Sequence, residues 1–402
     1  MPLPKSLIPL SALPLLLAGQ SPTPITGVSA ERPGACEITL SPEPLFVVGR
    51  GEHSTDILHR VAGGVILPTG DVVIANAGDF ELRWHDARGR LVRTAGRRGG
   101  GPGEFTALTG IWLFRDSLVV THDFSASRVE FFTLDGIHRR TTPLPLGAGV
   151  RWPAVVGVID SSLVAINGQR FESGEMGRGR IRPPFVFIRF STAGTVVDTL
   201  LTVPGRESWV PIDGVRPITQ AVPFGRTVLY SFGPDRMIYG DTGDSVLRVA
   251  AAGRGTTERF VHGVPRHPLG DDTFRDFIDK ARRSARTPPQ VARAEALGRI
   301  PKPRLLPAID QLHLDDEGRI WIRPFEYPGQ GPRVWRILAG GTSHACTAVL
   351  PPRTRILDIR GRHLLALVRS PEGVEEVRLY TFTDTPAAAR SRRCVAFPSG
   401  GG

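Results

Sequence analysis

The sequence predicts an all-β chain that folds as a six-bladed β-propeller with a two-helix insertion between blades 4 and 5. Three observations support this prediction: short runs that alternate apolar and polar residues, a glycine turn that recurs along the chain, and a single segment with helical periodicity. Short strands at regular intervals, separated by turn residues, indicate an all-β sandwich, barrel or propeller. The 46 glycines and 36 prolines among the 402 residues supply the turns that such a fold requires.

The first predicted blade shows the strand pattern most clearly. Residues 61–67, 71–75, 81–85 and 91–95 are short alternating runs with turn residues between them, as in an antiparallel meander of four strands. The glycine of the turn between third and fourth strands recurs as Gly89, Gly136, Gly194, Gly253 and Gly340. By subtraction these glycines are 47, 58, 59 and 87 residues apart. The first three intervals are near-regular and somewhat longer than a typical propeller repeat.

The long last interval contains the predicted insertion, residues 271–300. Phe274 and Phe277 recur at helical spacing after a polar start. Residues 287–290 read as a capping box with proline at the first helical position. We therefore expect two helices in this segment.

The first thirty residues are predicted to be a signal peptide. Lys5 provides a positive start, and the apolar run 6–18 that follows is too short to span a membrane. Cleavage after Ala18 and cleavage after Ala30 both remain open. We therefore expect an exported protein, periplasmic or extracellular, with no transmembrane segment in the mature chain.

The mature chain is expected to divide into a closing segment and the propeller itself. Residues 31–60 form an N-terminal segment in which 45–48 is a candidate ring-closing strand, and residues 61–398 form the propeller. A second run at 393–397 competes for the closing role. An exported chain can oxidise one pair of cysteines, and three pairings are open among Cys36, Cys346 and Cys394.

The basic charge does not by itself indicate a nucleic-acid partner. The formal net charge is +11, and because only 3 of the 50 basic residues are lysine, 50 minus 3 leaves 47 arginines. These arginines are scattered, without a basic block or the aromatic interleaving of a stacking platform. We interpret them as a composition bias and a solvated surface, and we expect a monomer without specific nucleic-acid binding.

One stretch resembles a known family. Residues 96–105 read Gly-Arg-Arg-Gly-Gly-Gly-Pro-Gly-Glu-Phe, and a strand pair follows, with Leu118 to Asp123 and Arg128 to Phe132. These residues resemble the exported bacterial six-bladed β-propellers related to the NHL-repeat and TolB-like groups. The resemblance implies the fold and export, but it implies no particular activity.

The predicted binding site lies on the face of the ring that gathers the long loops. Up-and-down connectivity places the loops leaving each fourth strand, and those joining second to third strands, on one face. Long irregular loops on a rigid scaffold are where binding usually resides. The residues predicted to bind are Arg97, Arg98, Glu104, His122, Arg170, Glu172, Arg206, Glu326 and Tyr327.

The leading functional hypothesis is a non-catalytic binding module for a protein, peptide, glycan or small anionic ligand, with no cofactor expected. The glycine-rich stretch lacks the features of a P-loop, and no Gly-x-Ser-x-Gly elbow occurs, so catalytic residues are unknown. The alternative is a propeller hydrolase of lactonase or esterase type. It would hold Ca²⁺ or another divalent cation in the central channel through loop acids, namely Asp79, Glu172, Asp241, Asp244 and Glu326. A channel lined by arginine and apolar residues would favour the binding module.

Overall fold

A computed structural model describes residues 33–50, 57–146, 150, 152–167, 178–211, 219–252, 255–326, 334–338, 345–370 and 372–386. This part of the chain is mostly β-structure with two helices. The strands before the helices are β1 Pro33–Leu40, β2 Phe46–Val48, β3 Val61–Ile66, β4 Val72–Asn76, β5 Glu81–His85, β6 Leu91–Ala95, β7 Leu108–Phe114, β8 Leu118–Asp123, β9 Arg128–Thr133, β10 His138–Pro143, β11 Ala154–Ile159, β12 Ser162–Asn167, β13 Gly179–Ile181, β14 Pro184–Ser191, β15 Val196–Pro204, β16 Ser208–Val210, β17 Gln220–Ala221, β18 Val228–Phe232, β19 Arg236–Asp241, β20 Val246–Ala251 and β21 Gly255–Val261. The remaining elements are α1 Asp271–Ser284, α2 Pro288–Leu297, β22 Ile309–Leu314, β23 Ile320–Pro324, β24 Val334–Leu338, β25 Ala345–Val349, β26 Thr354–Arg360, β27 His363–Arg369 and β28 Glu375–Pro386.

The strands pair as successive antiparallel meanders. The first meander is β3 to β6, the second β7 to β10, the third β11, β12, β14 and β15, and the fourth β18 to β21. A larger sheet contains the fifth meander, β22 to β25, and the last, β26 to β28, with β1 between them. β13, β16 and β17 form a small separate sheet that the sequence patterns did not predict.

The first strands of the meanders form a closed ring. β3 contacts both β7 and β26, β7 contacts β11, β11 contacts β18, and β18 contacts β22. β22 reaches β26 through Gln311, whose Nε2 donates to the carbonyl oxygen of Ile356 at 3.3 Å. Meanders arranged in this way around a central channel make the fold a β-propeller.

Most of these first strands carry a β-bulge near their beginning. In β3, β7, β11, β22 and β26 one residue is skipped by the pairing with the second strand. A bulge of this kind bends the strand and re-aims the side chain of the extra residue. The skipped residues are Ala62, Thr109, Val156, Asp310 and Leu357.

The hydrophobic core lies between neighbouring meanders. Between the first and second meanders, Phe105 is fully buried against Trp84 and Phe132. Between the fourth and fifth, Leu312 and Leu314 join a cluster with residues of β19 and β20. Burial of each such side chain contributes about 1.5–3 kcal/mol, so this packing is what holds the meanders together.

The N-terminal segment supplies the outer partner of β28. Phe46 pairs with Leu379 and Val48 with Val377, in the antiparallel register. β1 continues along the same edge of β28 and pairs in parallel with β25 on its other side. Of the three open cysteine pairings, the structure forms Cys36–Cys346, which joins β1 to β25. Cys394 and the competing run at 393–397 lie outside the described residues.

The predicted helical insertion is present between β21 and β22. The Oε1 atom of Gln290 accepts hydrogen bonds from the backbone N–H groups of Thr287 at 3.1 Å and Arg286 at 2.8 Å, as a capping box requires. The ring of Phe277 in α1 packs edge-on against Phe224 at 5.0 Å, which anchors the insertion to the loop before β18. In the described part of the chain, neither helix is long and apolar enough to cross a membrane.

Candidate functional site

The loops predicted to carry a site lie at the end of the ring where the first strands begin. We call this end the upper face. It carries the loop 96–107, the segments 205–211 and 219–227 with the short strands β16 and β17, and the helical insertion with its flanks, 262–308. The central channel opens on this face between the beginnings of the first strands.

The glycine-rich loop is a closed, internally bonded turn. Arg97 Nε donates to Glu104 Oε1 at 2.7 Å, and Glu104 Oε2 accepts the backbone N–H of Gly101 at 2.8 Å. These bonds, with the Gly101 N–H first and the Arg97 guanidinium second, hold the pKa of the Glu104 carboxyl below its usual range. Arg128 donates to the carbonyl oxygens of Gly100 and Glu104, both at 2.7 Å. Arg97 and Glu104 therefore form an ion pair in which each balances the charge of the other.

Arg98 and His122 lie beside this loop in different environments. The Arg98 guanidinium lies over the ring of Phe80, 5.5 Å from its centroid. The His122 side chain is fully buried, and its Nδ1 lies 2.8 Å from Thr109 Oγ1. Desolvation lowers the pKa of His122 to about 4, so the imidazole is neutral near pH 7. His122 supports the wall beneath the upper face and does not reach solvent.

The acids considered as metal ligands are engaged by cations or amides. Asp79 Oδ2 accepts from Asn76 Nδ2 at 2.7 Å. Arg226 donates through Nε to Asp241 Oδ1 at 2.9 Å and through Nη2 to Asp244 Oδ1 at 2.6 Å. Burial is the largest influence on Asp241 and opposes its charged form, but the hydrogen bonds from Arg226, the Gly243 N–H and Arg182 together outweigh it, so the pKa of Asp241 is lowered.

No metal cluster is formed by the residues that the structure describes. Within them, no group of three or more His, Cys, Asp or Glu could hold an ion. Glu326 is exposed, and its backbone N–H points at Asp310 Oδ2 at 3.4 Å. Arg170, Glu172 and Tyr327 lie outside the described residues.

Arg206 and Tyr230 are polar groups on the third and fourth meanders whose charges act on each other, and Arg206 is exposed while Tyr230 is only partly exposed. Arg206 follows β15 and is exposed, while Tyr230 lies on β18, one of the ring-forming strands. The Tyr230 ring is fixed edge-on by Phe187 at 5.3 Å and lies 5.9 Å from Phe232. Desolvation raises the pKa of the Tyr230 phenol, and the positive charge of Arg206 opposes this shift. Within the described chain, neither the guanidinium nor the phenol hydroxyl has a hydrogen-bond or ion-pair partner.

The channel wall near this pair is largely apolar. The ring-forming strands carry partly exposed apolar residues, each of which also packs against a core cluster between meanders. They are Ala62, Val156, Val158, Leu229 and Leu357. A guanidinium and a phenol beside apolar walls can accept a small anionic group together with an aliphatic part.

The sequence patterns singled out Arg206 but missed Tyr230. An aromatic residue in a short strand is predicted to be a core residue, and most aromatic residues in this fold are core residues. The available signal was the phenol hydroxyl of Tyr230 in a strand whose residues 228, 229 and 232 are apolar. That signal is weak without knowledge of which strand lines the channel.

Comparisons with known proteins show only distant likenesses. No protein-family model matches the chain, and no curated protein matches it in sequence. A Bacteroides fragilis protein whose name describes it as exported has 9% identity and a TM-score of 0.49, over 86% of this chain and 95% of that chain. The PQQ-bound aldose sugar dehydrogenase of Streptomyces coelicolor has 15% identity and a TM-score of 0.43, over 88% and 100%. Virginiamycin B lyase of Staphylococcus aureus has 11% identity and a TM-score of 0.38, over 87% and 89%. The propeller fold follows from the strand pairing and from the ring of first strands.

Proposed function

We propose that this protein is an exported, six-bladed β-propeller that binds a small anionic ligand at the upper mouth of its channel. The observation that carries the proposal is the unpartnered pair of Arg206 and Tyr230 beside an apolar wall. An arginine presents a planar fork of donors that matches a carboxylate, and a phenol hydroxyl adds one more donor. The protein acts as a binding module, and no cofactor is required for it.

We propose in addition that the scaffold has six blades, is related to the NHL-repeat and TolB-like propellers, and is exported. The successive meanders support a count of six blades, with the N-terminal segment completing the last blade. The loop 96–105 and the strand pair after it support kinship with the NHL-repeat and TolB-like propellers. The Cys36–Cys346 disulfide supports export, because disulfides persist in oxidising compartments.

The electrostatics of the upper face favour an anion at this pair. The acids Asp241 and Asp244 are paired with Arg226, and Asp241 also with Arg182, so they repel an incoming carboxylate only weakly. A hydrogen bond to a charged group contributes about 1.5–3 kcal/mol, and apolar surroundings strengthen it. Loss of the Arg206 contact is therefore expected to weaken binding by about tenfold to a hundredfold.

The test is calorimetric titration of the purified mature protein with hexanoate, using 1-hexanol as the uncharged match. We expect hexanoate to bind and hexanol not to bind. Arg206→Gln and Tyr230→Phe should both weaken hexanoate binding. Arg362→Gln is the control, because Arg362 is exposed at the opposite end of the last meander and carries the same charge. Equal binding of the acid and the alcohol, or equal affinity in Arg206→Gln and Arg362→Gln, would refute the proposal.

A further inference from the structure

We infer that the ligand carries two anionic groups, and that Arg355 binds the second one. This inference rests on the proposed function, because the first anionic group occupies the pair Arg206 and Tyr230. The ligand class is an aliphatic dicarboxylate or a molecule with the same spacing of charges. Arg355 was not among the residues that the sequence patterns selected.

Arg355 lies at the upper end of the ring, where the last meander meets the first. It is the second residue of β26, and its side chain is exposed. Its Nη2 donates to the carbonyl oxygen of Val61 at 2.9 Å and lies 3.5 Å from that of Ala62, both on β3. Ala62 is the bulged residue of β3 and is partly exposed. The guanidinium therefore lies across the junction of two ring-forming strands, at the channel mouth.

The charge of Arg355 is not balanced by the residues that the structure describes. Among them, no carboxylate lies within 4 Å of its guanidinium, and only Nη2 makes hydrogen bonds. Desolvation, and then the positive charge of Arg369, hold the pKa of Arg355 below its usual range. Arginine nevertheless stays protonated in proteins. A partly desolvated cation without a counter-ion gains most from an arriving anion, and Nε and Nη1 remain available to donate.

The acid whose charge acts on Arg355, Glu375, already bonds to other groups. Glu375 Oε2 accepts the backbone N–H of Val61 at 2.7 Å. Its Oε1 accepts from Arg369 Nε at 2.9 Å and from Arg369 Nη2 at 2.7 Å. Glu375 therefore fixes the junction of β3 and β28 and leaves Arg355 for a ligand.

The strand between the two anchors does not oppose a dianion. β22 lies between β18, which carries Tyr230, and β26, which carries Arg355. Its bulged residue Asp310 is held by Arg323, whose Nε donates to Asp310 Oδ1 at 2.5 Å. Arg323 also donates to the carbonyl oxygen of Thr354 at 2.8 Å, so this ion pair also contacts the beginning of β26. The mouth thus has two separate cationic anchors with a neutralised acid between them.

The wall between the anchors favours a ligand whose middle part is apolar. Leu229 on β18 and Leu357 on β26 are partly exposed apolar residues on the strands that carry the anchors. An aliphatic chain can cover these side chains, whereas a second charge placed there would lose its hydration without a partner. A ligand with a carboxylate at each end of an aliphatic chain would place one charge at each anchor and its apolar part along this wall.

The experiment compares adipate with hexanoate, which have the same number of carbons and differ by one carboxylate. In the unaltered mature protein we expect adipate to bind at least tenfold more tightly than hexanoate. In Arg355→Gln this advantage should disappear while hexanoate binding stays unchanged. Arg355→Lys, which keeps the charge, should restore part of it, and Arg362→Gln should leave it intact. Thermal unfolding of each variant checks that the fold is kept.

A length series separates charge recognition from hydrophobic binding. Among succinate, adipate, suberate and sebacate, the fixed anchors predict an optimum length that Arg355→Gln abolishes. Equal affinity for adipate and hexanoate, or an advantage that survives in Arg355→Gln, would overturn the inference and leave the proposed function standing. Absence of binding by both acids would instead overturn the proposed function, and this inference with it.

Discussion

Removal of the Cys36–Cys346 disulfide should destabilise the closure of the ring without changing the fold. The bond joins residues 310 positions apart, so it constrains almost the whole propeller in the unfolded state. The chain-entropy relation gives about 6 kcal/mol for a loop of that length, and loss of a native disulfide typically costs about 2–5 kcal/mol. In Cys36→Ser/Cys346→Ser, β1 can still pair with β25 and β28 through its backbone. We therefore expect the free energy of unfolding to fall by about 2–5 kcal/mol.

The assay is urea unfolding, with the midpoint as the readout, together with hydrogen exchange of the native protein. The backbone amides of β1 and of the paired part of β28 should exchange faster in the double variant, while those of the second meander should not change. Cys394→Ser is the matched control, because it removes a cysteine and leaves the bond intact. If the double variant and this control unfold at the same urea concentration, the closure does not depend on the disulfide and the reasoning is wrong.

Two further predictions concern charge. Desolvation raises the pKa of Asp358 from 3.8 to about 6, against the opposing hydrogen bonds from the N–H groups of Ile66 and Ile359. The folded state therefore holds this proton more tightly, so the contribution of Asp358 to the free energy of unfolding is greatest below about pH 4 and falls by at most about 3 kcal/mol as the pH rises to about 6. Asp358→Asn should remove that part of the pH dependence of urea unfolding. If the free energy of unfolding changes with pH in the same way in both proteins, the raised pKa of Asp358 is contradicted. Treatment with a chelator should leave the melting temperature unchanged, because Asp241 and Asp244 are paired with Arg226. A bound divalent ion in elemental analysis, with a lower melting temperature after chelation, would instead favour the metal-dependent hydrolase.

Local features of the chain were predictable because they depend on neighbours in sequence. The turn glycines Gly89, Gly136 and Gly194 adopt positive φ values of 79°, 83° and 84°. Glycine has no Cβ to oppose that conformation, so the recurrence of the residue reports the recurrence of the turn. The capping box at Thr287 is likewise a contact over three residues, and it predicted the start of α2 correctly.

Some side-chain roles were also predictable from short-range chemistry. The carboxylate of Asp123 accepts the backbone N–H groups of Thr106 and Ala107, both at 2.8 Å, and Arg128 lies beside it at 3.7 Å. Short acidic side chains bond readily to backbone amides, so a capping role for Asp123 follows from its residue type, whereas the fold sets which amides it caps.

Other features required the tertiary structure because they join distant parts of the chain. β1 was not predicted as a strand, since its pairing with β25 and β28 is set by partners some 300 residues away. The bulges of the ring-forming strands were also missed, because a skipped residue leaves no fixed residue type in the sequence. His122, predicted to bind, is instead buried beneath the upper face by the packing of β7 and β8.

The sequence by itself determined the periodic strands, the turns and the helical insertion, because backbone preferences and alternation act over a few residues. Only the tertiary structure decided which of the many arginines lack a partner. Arg97 is neutralised by Glu104 and Arg226 by Asp241, whereas Arg206 and Arg355 have no carboxylate partner among the described residues. Whether a charge is available to a ligand depends on which side chains the folded ring brings within a few ångströms of it, and no local pattern encodes that.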